Sequence, residues 1–213
     1  MRAAVCRCNR KGKYTMNERS IHPYKAYIPE RAEKLIIGTI PPYRFCCGEK
    51  EKLYETDVDF YYGSRDNYFW DIMSDITGVK IQHVNSEEAV QERKQLLNSL
   101  NVGITDIIES CIHKDGKSDD ASLCDIKTKD ISALLSKHRN INELIYTSRF
   151  VIRQMNESVK TNHSWSNEKK LDGSIVINGK KYNVRVLYSP SPQALRSITK
   201  EDRLERYKIV FGL

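Results

Sequence analysis

The chain has no apolar run near the roughly 18 residues a membrane helix needs, so no membrane span is expected. It has no internal repeat and no low-complexity tract. The start, MRAAVCRCNRKGKYTMNERS, is basic but has no apolar h-region, so it does not read as a secretory signal. It also lacks the amphipathic apolar face of a mitochondrial presequence. Cysteine is sparse: Cys6, Cys8, Cys46, Cys47, Cys111 and Cys124. Their spacing (C-x-C, C-C, then two singles) matches neither a zinc ribbon nor a redox C-x-x-C. Cys6 and Cys8 make half a metal site. A chain of 213 residues can bury a core without disulfide staples. Reduced thiols are therefore expected, in a bacterial-type cytoplasm or, in a eukaryote, a nucleus.

What is present fits a soluble globular protein. Charged residues make up 30% and hydrophobic residues 39%, and the net charge is +7. A basic balance suits a polyanion such as nucleic acid, although surface charge that merely solubilises reads the same way. Residues 1–18 are expected to be a disordered basic tail or, up to Met16, an over-long start. Residues 19–213 are expected to form one domain.

Strand and helix signals alternate along that domain. KLIIG, Lys34 to Gly38, is a short apolar run ended by glycine, as in a buried parallel strand. TIPPYRFCCG follows and is read as non-helical because of Pro41 and Pro42. A helical pattern starts after Asn67, an expected N-cap, and stops at Gly78. Glu87 to Leu100 is a second helix with Ser86 as its cap. Asn101 to Ile108 reads as loop and strand, Lys129 to His138 as helix, Glu143 to Ser148 as strand and Arg149 to Val159 as helix. Two alternating runs flank Asn178-Gly179, a strong hairpin signal. Glu201 to Val210 is a closing helix. The order argues for a three-layer α/β/α sandwich around a central, mainly parallel sheet. Ligands bind such sheets at the strands' carboxyl ends, where Gly38 to Pro42, Ser148 and Ser189 to Gln193 fall.

Three segments carry candidate chemistry. GTIPP, 38 to 42, is a rigid loop whose backbone amides could hold a base or a phosphate; a plain strand-ending turn would look the same. SPSPQAL, 189 to 195, alternates two prolines with two hydroxyls that can donate to phosphate oxygens; an extended linker is the alternative. FYYGSRDNYFW, 60 to 70, sets Ser64-Arg65-Asp66-Asn67 among aromatic rings. Phe69 and Trp70 fit a core. Tyr62 could stack a flat ligand, and the Asn67 amide both donates and accepts.

Together these segments resemble the uracil-DNA glycosylase superfamily, in the right order from about Ile21 onward. LIIGTIPP looks like its first motif, a strand followed by G-x-x-P. YYGSRDNYFW is similar to the aromatic stretch of the hypoxanthine-DNA and mismatch-specific branch. There an aromatic lies five residues before Asn-x-Phe-Trp, as Tyr62 lies before Asn67. VGITDII looks like the Gly-(Ile/Val)-Thr strand, and SPSPQAL like the final motif, which pinches the DNA backbone and wedges into the stack. Two positions depart from the common pattern. Ile40 stands where many members have a catalytic Asp or Asn, and Ser189 where the most familiar members have histidine. The hypoxanthine branch also lacks the first-motif acid or amide. Where that branch commonly has His-Pro before the asparagine, this chain has Ser64-Arg65-Asp66.

The resemblance implies a monofunctional DNA glycosylase that flips a deaminated base, hypoxanthine or uracil, and hydrolyses its N-glycosidic bond. Thr39, Ile40 and Pro41 would hold the base, and Tyr62 would stack on it. Asn67 would position the water, with Asp66 as a helper. Ser189, Pro190, Ser191, Pro192 and Gln193 would contact DNA. No metal or other cofactor is implied. The motifs hold no lysine for a Schiff base, which argues against lyase chemistry. The partner is damaged DNA, and the chain is expected to act as a monomer. The alternative is a catalytically inactive DNA-binding module of the same fold. If the +7 charge serves DNA contact, duplex affinity falls steeply between low and moderate salt as counterions are released. A salt titration checks this, and a flat response would leave the charge to solubility alone.

Overall fold

The computed structural model describes residues 19–48, 50–117, 119–165, 171–192 and 198–213. The expected tail, with Cys6 and Cys8, and Gln193 lie outside the described residues.

A six-stranded sheet organises the chain. Its strands are β2 (Lys34–Gly38), β3 (Val102–Asp106), β6 (Glu143–Tyr146), β7 (Ser164–Trp165), β8 (Asp172–Ile177) and β9 (Lys180–Val186). They lie in the order β3-β2-β6-β9-β8-β7. The β2–β3, β2–β6 and β6–β9 pairings are parallel, and the β8–β9 and β7–β8 pairings antiparallel. The sheet is therefore mixed, with four parallel strands side by side. The β8–β9 hairpin turns at Asn178 and Gly179, both at positive φ, as a two-residue primed turn requires.

Side chains alternate along each strand, so both faces of this sheet carry a core. Ile36, Ile104 and Ile145 pack with α2 (Phe69–Thr77), α3 (Glu87–Ser99) and α6 (Lys200–Phe211). Leu35, Ile37, Leu144 and Tyr146 pack in a second cluster with α4 (Ile131–Lys137) and α5 (Arg149–Val159). That is why KLIIG shows no polar alternation: both its faces are covered. No helix among the described residues is long and apolar enough to cross a membrane.

Three local readings change. The segment after Pro42 is a single helical turn, α1 (Tyr43–Cys46), with Pro42 as its N-cap. A proline's ring clashes with the turn before it, so a helix cannot run into Pro42 but can start after it. Asn67 sits one position before the N-cap of α2, which is Tyr68, yet its Oδ1 accepts the Phe69 N–H at 2.9 Å. The run after Asn101 splits at Ile107. Its second half is β4 (Ile108–His113), which joins β1 (Arg19–Ile21) and β5 (Leu123–Thr128) in a separate antiparallel sheet. Ser86 caps α3 as expected, accepting the Ala89 N–H.

One ion pair ties α1 to the aromatic loop. Asp57 has no exposed side chain and accepts from Arg44 Nε and Nη2, both at 2.8 Å. It also accepts the backbone N–H groups of Tyr54 at 2.9 Å and Arg65 at 2.8 Å. Arg44 Nη2 reaches Ser64 Oγ at 2.7 Å. Burial pushes the Asp57 carboxyl up, but the Arg44 guanidinium and the two amides outweigh it and hold it below its ordinary range. Asp57→Ala leaves a half-buried cation and two amides unpaired, so it should cost about 3 kcal/mol, the scale of breaking a buried pair. Urea denaturation measures this. A loss under about 1 kcal/mol, the scale of an exposed pair, would show that the loop does not depend on the pair.

Candidate functional site

The carboxyl ends of the four parallel strands open into one cavity of about 260 Å³. That is just below the roughly 300–1,000 Å³ of typical ligand pockets, a size for one small flat group. Thr39, Ile40, Pro41 and Pro42 line it after β2, Asp106 at the end of β3, Thr147 and Ser148 after β6, and Ser189, Pro190 and Ser191 after β9. The aromatic loop closes it with Phe60, Tyr62, Gly63, Ser64 and Asn67. All three sequence segments thus reach the same cavity.

The aromatic loop is held in a strained shape. Val58 N–H donates to Gly63 O at 2.7 Å and Gly63 N–H to Phe60 O at 3.0 Å. A Cβ on Gly63 would lie 1.8 Å from Val58 O, so only glycine fits the fold-back. Tyr62 takes a left-handed φ of 54°, unusual for a bulky residue and characteristic of functional loops. Its ring stacks on Phe69, with centroids 4.5 Å apart, and its hydroxyl shares a hydrogen bond with Thr147 Oγ1 at 2.7 Å. Burial, reinforced by the nearby Asp106 charge, pushes the phenol well above its ordinary pKa, so it stays neutral. Asn67 lines the cavity and commits its Oδ1 to Phe69 N–H, which leaves the amide nitrogen as its free donor. Tyr68 N–H donates to Pro190 O at 3.0 Å and ties the aromatic loop to the last motif.

Some expected residues lie elsewhere. Asp66 is 62% exposed at its side chain, ion-paired with Arg44 at 3.4 Å, and is not part of the cavity lining. Pro192 is exposed and also outside the lining. Thr39, Ile40, Pro41, Tyr62, Asn67, Ser189, Pro190 and Ser191 line it together.

The structure adds carboxylates that sequence reading missed. Asp106 is buried, and its Oδ2 accepts from His22 Nε2 at 2.8 Å. A Cβ on Gly38, its strand partner, would lie 2.1 Å from Tyr62 Oη and 2.2 Å from Asp106 Oδ1, so the floor has room only for glycine. Asp120 also lines the cavity, with Asp119 beside it. The signal for Asp106 was its place, last in VGITD, where a strand meets a ligand rim. Nothing in the sequence pointed to Asp120. Among the described residues, no cluster of three or more His, Cys, Asp or Glu side chains is placed to hold a metal ion.

No family model matches the sequence, and no curated protein matches it. Among solved structures, the chain is similar to the solution NMR structure of a "putative Uracil DNA glycosylase" from Methanosarcina acetivorans. The two share 19% identity with a TM-score of 0.57, over 89% of this chain and 95% of that one. The likeness is one of fold, a mixed α/β architecture.

Asp120 gives a pH test. Burial holds its carboxyl above the ordinary range, against a hydrogen bond from the Thr39 side chain that pulls it down. The folded chain therefore binds this proton more tightly than the unfolded chain. Stability from this group is full below the ordinary pKa of about 3.9 and is lost as pH rises through the raised value. Asp120→Asn should raise Tm at pH 7 and leave it unchanged near pH 3. A lower Tm at pH 7 would show that the charged form is stabilised by its surroundings.

Proposed function

We propose that this chain is a monofunctional DNA glycosylase of the uracil-DNA glycosylase superfamily, closest to the hypoxanthine-DNA and mismatch-specific branch. In this reading the two cores on the six-stranded sheet make a three-layer α/β/α sandwich, and the chain acts as a monomer on damaged DNA. The observation that carries it is the single cavity into which the 39–42 loop, Tyr62, Asn67 and the 189–191 loop converge. The fold likeness to the structure named a "putative Uracil DNA glycosylase" supports it.

The geometry suits the steps the reaction needs. A base flipped out of the duplex enters the cavity and lies against Tyr62, whose ring is braced on Phe69. Backbone amides after β2 stabilise negative charge on the leaving base. The Asn67 amide nitrogen donates to the attacking water and fixes its approach to C1′. Ser189 and Ser191, which line the cavity, hold the flanking phosphates, with Pro192 and Gln193 as further DNA-contacting residues of the same motif. Ile40 lines the cavity as an apolar wall and carries no proton.

Single-turnover base release on uracil, hypoxanthine and mismatch duplexes tests the reading, with hypoxanthine release expected. Salt-sensitive binding without release from any duplex would identify an inactive DNA-binding module instead. Asn67→Ala should slow release by about a hundredfold or more, the scale of losing one catalytic donor, with duplex affinity little changed. The same variant loses a local bond to Phe69 N–H, worth about 1 kcal/mol, so Tm is measured on the same sample. A folded Asn67→Ala with the wild-type rate would remove Asn67 from the chemistry.

A further inference from the structure

We propose that Asp106 is the general base of this reaction and takes the proton of the attacking water; the assignment rests on the glycosylase reading. The superfamily pattern often puts the acid or amide in the loop after the first strand, where this chain has Ile40. The sequence candidate for a replacement, Asp66, is spent on Arg44 at the surface. Asp106 supplies a carboxylate from the neighbouring strand instead. Parallel register pairs it with Gly38, so it stands beside the start of the loop that carries Ile40.

Its two oxygens have different surroundings. Oδ2 is fixed by His22 Nε2–H at 2.8 Å. The His22 ring is held in turn, with Nδ1 3.0 Å from Tyr24 O and 3.1 Å from Tyr24 N. Oδ1 lies over Gly38, at the point where the Tyr62 hydroxyl also arrives. A carboxylate anchored through one oxygen, with the other beside the stacking ring, is oriented for proton transfer before substrate arrives. The side chain is buried yet lines the cavity, so bulk water does not compete for it.

The step balances without a further reactant. The water oxygen bonds to C1′ as the C1′–N bond breaks, and its electron pair leaves with the base. One water proton passes to Asp106 Oδ1 and then to solvent. The base anion takes a proton from solvent, and the sugar keeps a hydroxyl at C1′. General-base catalysis of this kind contributes roughly 10²–10⁴-fold.

Asp106→Asn is nearly isosteric, and its amide oxygen can still accept from His22. Single-turnover base release from the duplex the wild type cleaves best should fall about a hundredfold or more. Duplex affinity should stay within a few-fold. His22→Asn is measured beside it, because it disturbs the same buried bond but keeps the carboxylate. His22→Asn should be clearly faster than Asp106→Asn, with Tm recorded for both. Asp106→Asn at the wild-type rate overturns the assignment, and so do equal losses in the two variants. A wild-type chain that releases no base from any duplex overturns the glycosylase reading and this assignment together.

Discussion

Asp57 gathers four donors in a site with no access to solvent: two from Arg44 and one backbone amide each from Tyr54 and Arg65. A buried carboxylate is tolerable only when its lone pairs are matched in this way. The match fixes two walls of the cavity at once. Arg44 belongs to the turn that follows Pro42, and Arg65 to the loop that carries Tyr62. Ser64 belongs to the same arrangement through Arg44. The strained φ of Tyr62 and the fold-back at Gly63 persist because the flanking residues cannot move independently.

This assigns much of the polar stretch 64–67 a role that sequence reading did not see. Ser64, Arg65 and Asp66 all meet Arg44 or its partner Asp57. Ser64 and Asn67 both line the cavity, and of the two only Asn67 lies outside the Arg44–Asp57 arrangement. A linear reading marked the stretch as unusual, because hydrophilic side chains among rings need a reason. It could not assign that reason, because Arg44 and Asp57 lie outside the stretch and nothing in their spacing announces a pair.

The larger elements were more legible. KLIIG, the helix after Ser86 and the Asn178-Gly179 hairpin follow from periodicity, capping and turn chemistry, which are local. The small sheet of β1, β4 and β5 was missed because Ile107 interrupts an apolar run without a turn residue. The two carboxylates were missed for a related reason. Asp106 gains its place only when β3 lies beside β2, and Asp120 only when the segment before β5 folds over Thr39. A charged residue at the end of an apolar strand is a common pattern, and only the neighbouring strand makes it a cavity floor.

The cavity draws on stretches from Thr39 to Ser191, and its floor needs β3, β2, β6 and β9 in parallel register. Parallel neighbours cannot meet through a hairpin; each pairing must close a long crossover first. Contacts of such sequence separation are slow to form. The last parallel strand, β9, comes near the end of the chain, and the Tyr68–Pro190 bond that joins the two rims lies later still. A chain emerging from synthesis therefore gains its basic charge and its cavity late, because residues 151–213 carry six of its seven net positive charges and also complete the cavity. The cavity belongs to the completed fold alone.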